Sequence, residues 1–251
     1  MAPNSTRRDA RAQPAATHSS FLRRLPRGRV VDRVSFLQAA TASRRVVHVG
    51  YTDRDCRDAN FDRDRWLHQI LAARSQSIVG LDIDESGVEY ARQLGYEGHV
   101  VDCCSSAAVQ SLGLPTADVV VAGEVIEHLG DPGGFLEAAH HLTGPDGMLI
   151  VTTPNATSLV NFVLALGRRE LAHHDHVSLY SAFTLSNAAE RYGWEVLSLI
   201  AYAAPPFRRH PGLRSQVART IGVAVLGLEH QLARYVSPWV ADGLILVARP
   251  S

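Results

Sequence analysis

The chain has 251 residues, 46% hydrophobic and 20% charged, close to ordinary globular usage and long enough to bury a large core. Its 25 basic and 25 acidic residues cancel, so no global field recruits nucleic acid or a membrane. Cys56 and the adjacent pair Cys103 and Cys104 suit neither a disulfide framework nor a zinc site, and they fit a cytoplasmic protein.

The charge is unevenly spread. Residues 1–45 carry ten Arg against two Asp and no Glu, and residues 1–28 read as a disordered Arg-rich tail, with an organellar transit segment as the alternative. Residues 29–251 are expected to form one domain. A leading helix is predicted over 29–42. Five nearly continuous apolar runs then alternate with helical patterns: 45–50, 77–83, 98–102, 117–123 and 147–153 are the predicted strands. Between them, 63–74, 85–95, 106–113 and 132–142 have helical length or period. Short links between alternating elements predict a doubly wound α/β sheet. A capped helix over 181–193 and two strands, 194–204 and 242–250, complete the pattern. Two insertions interrupt it, 154–178 after the fifth strand and 205–241 between the sixth and seventh. The second holds an amphipathic helix with Leu213, Val217, Ile221, Leu228 and Leu232 as its apolar stripe and Arg214, Arg219 and Arg234 elsewhere. The run 221–228 is far shorter than the ~20 residues that span a bilayer, although the helix around it could lie on a membrane surface.

In open α/β sheets, ligands bind beyond the carboxyl ends of the strands. Those ends carry His48-Val49-Gly50-Tyr51-Thr52-Asp53, Asp82-Ile83-Asp84, Asp102-Cys103-Cys104, Gly123-Glu124 and Thr153-Pro154-Asn155. Asp82 is placed to accept both hydroxyls of a ribose, and Asp102 an exocyclic amine, although either acid could instead cap the following helix. If a helical turn begins after the fourth strand, Glu124, Glu127 and His128 share one face at i, i+3 and i+4. Two carboxylates and an imidazole on one face form half of a metal site, and His173, His174, Asp175 and His176 offer a further ligand. A mixed carboxylate–imidazole set suits Mg²⁺ or Mn²⁺. His128 acting alone as a general base, or a solvated helix face, are the other readings.

"VVHVGYTD", "IVGLDID", "VVDCC", "ADVVVAGEVIEHLGDP" and "GMLIVTTPN" resemble, in order and spacing, the class I S-adenosylmethionine-dependent methyltransferases. The resemblance implies a seven-stranded Rossmann-like sheet of order 3-2-1-4-5-7-6 whose last strand is antiparallel. It implies S-adenosylmethionine lying over the first strand, against Gly50, Tyr51, Asp82, Ile83, Asp102 and Glu124. The chain departs from the family at the first loop, where His48 replaces an acid, only Gly50 of three glycines is clear, and Asp53 is a candidate for the missing carboxylate. Glu-x-x-Glu-His is similar to two subfamilies. In the small-RNA 2′-O-methyltransferases the metal ligands map onto Glu124, Glu127, His128 and His176. In the ubiquinone-pathway O-methyltransferases the downstream pair maps onto His174-Asp175. The implied reaction is O-methylation of a small hydroxylated metabolite, sugar or lipid-like acceptor roofed by the two insertions, with Glu127 and His128 as catalytic residues. An RNA 2′-O-methyltransferase is the first alternative, with Arg168, Arg169, Arg208 and Arg209 as its modest basic surface. A module that kept the fold without catalysis is the second. Trp66, Trp194, Cys103 and Cys104 are assigned to packing, and Asn155 to ligand contact or turn chemistry.

Overall fold

A computed structural model describes residues 24–53, 66–203 and 216–251, with backbone alone for 216–223. Residues 1–23, Cys56, Arg208, Arg209, Leu213 and Arg214 lie outside the described residues, as do the side chains of Val217, Arg219 and Ile221. The strands are β1 (Val30–Val31), β2 (Arg45–Val49), β3 (Ser77–Asp82), β4 (Gly98–Val100), β5 (Ala117–Gly123), β6 (Thr143–Pro154), β7 (Trp194–Tyr202) and β8 (Gly243–Pro250). The helices are α1 (Arg33–Thr41), α2 (Leu67–Ala72), α3 (Glu85–Gln93), α4 (Ser106–Ser111), α5 (Pro132–Leu142), α6 (Leu159–Leu166), α7 (Ala182–Arg191) and α8 (Gln216–Tyr235).

All eight strands form one sheet in the order β1-β7-β8-β6-β5-β2-β3-β4. Without β1, this is the expected order, and β8 runs antiparallel to both β6 and β7. The count of seven is corrected to eight. Val30 and Val31, expected to open the leading helix, instead pair with Ala201 and Tyr202 on the outer edge of β7. The helix starts only at Arg33, because the Asp32 side chain accepts from the Ser35 amide and caps it there.

Alternation in each strand divides the core into two layers. Val47, Val49, Val120, Ala122, Leu149 and Val151 pack with Phe135 and Leu136 of α5 and Leu185 of α7. On the other face, Val46, Val119, Val121 and Ile150 pack with Leu37 of α1 and Leu71 of α2. The Trp194 indole N–H donates to the Leu136 carbonyl (3.0 Å), so the packing role assigned to Trp194 includes a satisfied polar group.

The amphipathic helix of the second insertion is present as α8, but its described buried face differs from the expected stripe. Leu228 is 54% exposed, while Glu229 and Ala233, one turn apart, are buried. The Glu229 carboxyl accepts from the Val160 amide (2.7 Å) in the first turn of α6, one of the amides that a helix start leaves without a partner of its own. Docking onto α6 has therefore set the rotation of α8. Burial, then the hydrogen bond and charge of Asp242, push the Glu229 carboxyl up to about 9.

A carboxyl raised in the folded state favours folding below its unfolded value of 4.5, and that contribution is lost as pH rises through about 9. One such proton gives a decline of about 1.4 kcal/mol per pH unit within that window. Urea denaturation at a series of pH values is expected to show this slope in the parent and a flatter one in Glu229→Gln.

Candidate functional site

The site begins where β5 stops. Glu124 has φ +59°, a left-handed conformation costly for a residue with a side chain. Its amide still donates to the Thr152 carbonyl (2.9 Å), so the strand is held up to the turn and then broken. A short 3₁₀ turn, Ile126–His128, follows. The expected helical face shared by Glu124, Glu127 and His128 does not form, because Glu124 lies outside the turn. The Glu124 carboxylate accepts from the Thr152 hydroxyl (2.9 Å) and from the Tyr202 hydroxyl (2.8 Å). Arg33 donates to the same Thr152 oxygen at 3.0 Å and lies 3.9 Å from Glu124. Glu127 accepts instead from the next hydroxyl along β6, that of Thr153 (2.9 Å).

Glu127 is 1% exposed, and its Oε1 has no hydrogen-bond partner among the described residues. Burial, and then the charge of Glu124, push its carboxyl up to about 8. The Glu127 backbone carbonyl accepts from the amides of Val177 (2.9 Å) and Ser178 (3.1 Å). That double anchor brings the histidine-rich segment back over the turn. The His176 ring meets His128 edge-on, with centroids 4.6 Å apart and planes at 81°. Ligand atoms of Glu127, His128 and His176 all lie within 4.8 Å of one another. His176 Nδ1 is buried and also unpartnered among the described residues, and burial followed by the charges of His128 and His173 lowers its pKa. His176 thus joins the cluster. His174 belongs to a separate exposed group with His173 and Asp175, its Nε2 lying 3.2 Å from Asp175 Oδ1. Glu124 stands outside both groups. One carboxylate and two imidazoles, with two buried atoms lacking partners, fit a divalent cation.

A second cluster lies at the ends of β2, β3 and β4. Asp82 Oδ2 accepts from the Thr52 amide (3.0 Å) and hydroxyl (2.8 Å), and Oδ1 accepts from the Asp84 amide (3.0 Å). Three donors fix this carboxylate at the rim of the sheet. Ile83 beside it is 68% exposed. Asp102 is exposed, and its Oδ1 accepts from the Cys104 amide (2.9 Å). An exposed isoleucine between carboxylates on neighbouring strand ends fits an apolar ring with polar edges. Gly50 has φ +67°, and a Cβ there would collide with Val125, so the single retained glycine is the one the turn requires.

Tyr51 differs from its expected place against a ligand. Its side chain is 1% exposed and packs over Gly80 and Gly98, where any Cβ would strike the ring. The Tyr51 carbonyl accepts from the Trp66 indole (2.6 Å). His48, which replaces an acid, does not face the rim either. It is buried against His68, with Nδ1 atoms 3.2 Å apart and rings stacked. Burial holds the His68 imidazole down to about 3 and His48 well below its usual value, so the pair is neutral, one Nδ1 donating to the other. Asp53 is exposed at φ +43°.

Sequence reasoning missed Arg33, Thr152 and Tyr202, and it named Thr153 only as part of a strand end. The lone charged residue of its helix was the available signal for Arg33. Successive threonines in an apolar strand were the signal for the other pair. Asn155 is structural: its amide donates to the Trp239 (2.9 Å) and Ala241 (2.8 Å) carbonyls, tying β6 to the entry of β8.

Residues 29–199 match the family described as "Methyltransferase domain". A ubiquinone biosynthesis O-methyltransferase of Pseudomonas aeruginosa is 27% identical over 160 residues, covering 60% of this chain and 69% of that protein. The fold is similar to a SAM-dependent methyltransferase from Archaeoglobus fulgidus, with TM-score 0.52, 16% identity, and 86% and 93% of the two chains covered. It is also similar to an N-methyltransferase from Bradyrhizobium japonicum solved with S-adenosyl-L-homocysteine, with TM-score 0.50, 13% identity, and 87% and 85% covered.

The first loop predicts a contrast between two glycines. At Gly95, φ is +88° but a Cβ would meet nothing within 4 Å, whereas Gly50 adds the collision with Val125. Gly95→Ala is expected to cost about 1–2 kcal/mol, and Gly50→Ala a further 1–3 kcal/mol, on the order of overpacking a core, as read by chemical denaturation.

Proposed function

The chain belongs to the class I S-adenosylmethionine-dependent methyltransferases, and on that premise we propose that it methylates an oxygen of a small hydroxylated acceptor at the Glu127–His128–His176 cluster. The observation that carries this reading is the convergence of those three side chains just beyond the end of β5. The Pseudomonas aeruginosa relative, an O-methyltransferase of ubiquinone biosynthesis, supports oxygen over nitrogen or carbon.

In this reading, the cofactor is held by the backbone at Gly50, by Asp82 for the ribose, by Ile83 against the adenine ring and by Asp102 at its edge. S-adenosylmethionine supplies a methyl group activated on a sulfonium. A neutral hydroxyl is a poor nucleophile until it loses its proton. His128, the exposed member of the cluster, would take that proton on a ring nitrogen. Glu127, whose carboxyl burial holds up to about 8, acts by position rather than by a resting charge. Its anchor to Thr153 and its backbone clamp on the 176–178 segment keep His128 and His176 in place, so that much of the rate comes from alignment. Glu124, turned to the opposite face, fixes the end of β5 through Thr152 and Tyr202.

A second reading is favoured by the unpartnered Glu127 Oε1 and His176 Nδ1. Glu127, His128 and His176 would then hold Mg²⁺ or Mn²⁺, which would acidify the acceptor hydroxyl in place of the base.

Two measurements test these assignments. By calorimetry, Asp82→Ala is expected to weaken S-adenosylmethionine binding by about tenfold to a hundredfold, the worth of hydrogen bonds to a charged group. Unchanged affinity would remove Asp82 from the cofactor site. With catechol as acceptor, His128→Ala is expected to lower kcat by about 10²–10⁴ while cofactor affinity stays the same. Activity lost on chelation and restored by Mn²⁺, with calorimetric Mn²⁺ binding that disappears in His176→Ala, selects the cation. Activity indifferent to chelators selects the base. Transfer to amines in preference to catechol would refute O-methylation.

A further inference from the structure

We infer that the acceptor is an amphiphile, an apolar body carrying an anionic head group, and that Arg168 and Arg169 read the head. The inference rests on the acceptor reading above and extends it to a substrate class. A cavity of about 780 Å³ opens beneath α6, within the first insertion. Its apolar wall includes Leu159, Phe162, Ala165, Leu179 and Val240. Leu179 lies three residues beyond His176 on the segment clamped to the Glu127 carbonyl, so one short stretch of chain runs from the cluster to the cavity wall. The cavity is large enough for a drug-sized molecule, and such pockets are mostly apolar with a few placed polar groups.

Thr157, Ser158 and Asn161 give the cavity neutral polar groups, and its charged groups carry a net positive charge. Arg168, Arg169 and Glu170 line the same cavity, two guanidinium groups against one carboxylate. Among the described residues, neither arginine has an ion-pair partner. Their backbone is held in place: the Arg168 amide donates to Ala165 (3.0 Å) and the Arg169 amide to Leu164 (2.9 Å), closing the helix end. Arg168 adopts φ +55°, a left-handed conformation that turns the chain sharply after Gly167. A helix C-terminus favours cations and accounts for an arginine at this end. Two of them on one apolar cavity, without partners, match a carboxylate or a phosphate ester, which guanidinium groups bind in pairs of parallel hydrogen bonds.

Octanoate, octyl phosphate and octanol serve as probes in calorimetric titrations of the full chain. Both anions are expected to bind at least about tenfold more tightly than octanol, and Arg168→Gln/Arg169→Gln is expected to erase that preference while thermal unfolding confirms the fold. The tighter of the two anions identifies the head group. Ala165→Phe, which fills the apolar wall, is expected to weaken all three probes. Octanol binding as tightly as the anions, or a preference that survives in the double variant, would overturn the inference. S-adenosylmethionine binding and transfer to catechol are measured on the same preparation. Their loss, with the anion preference intact, would refute the reading of the histidine cluster and leave the cavity assignment standing.

Discussion

Two neighbouring hydroxyls hold the functional end of this molecule. Thr152 and Thr153 are consecutive residues of β6 and so point to opposite faces of the sheet. Thr152 donates to Glu124 on one face and Thr153 to Glu127 on the other. The left-handed backbone at Glu124 makes this division possible, because it ends β5 abruptly and lets the chain cross from one layer to the other. From that crossing follow the two environments. Glu124 enters a network with Arg33 and Tyr202, whereas Glu127 is buried beneath the histidine segment. A regular helix starting at Glu124 would have put all three polar groups on one side and left α1 and β7 unconnected to the site.

Much of the fold was legible because its signals were local and repeated. Continuous apolar runs located the parallel strands, and the spacing between them located the crossover helices. β6 is the clearest boundary difference, since it begins at Thr143, ahead of the apolar run at 147–153. β1 was not legible. Two valines paired on an edge have no period, and their pairing partner lies 171 residues away at Ala201. The rotation of α8 was hidden for a related reason. A stripe of leucines predicts which face is apolar, but a buried carboxylate docked on another helix can outweigh it, and that partner is visible only in three dimensions.

The site was legible in its residues more than in its arrangement. Asp82, Glu127 and His128 stand at the ends of strands or in the turn beyond, where the pattern predicted chemistry, and His176 stands in the first insertion. Proximity between His128 and His176 could be proposed, but the choice between His174 and His176 depended on backbone hydrogen bonds from Val177 and Ser178, which carry no side-chain signature. Tyr51 was misplaced because a strand-end aromatic beside a glycine reads equally as a ligand wall or as a plug. The bare backbones of Gly80 and Gly98 create the space that it fills.

The buried imidazole pair has a consequence for how the first loop can vary. A single N–H lies between His48 and His68, so one ring must be the donor and the other the acceptor, and a replacement at either position must keep the sense its partner needs. Replacing His48 with an acid would force the His68 ring to donate and would bury a charge where two neutral rings now lie. The side chains at positions 48 and 68 therefore constrain each other, and the end of β2 is packed against both.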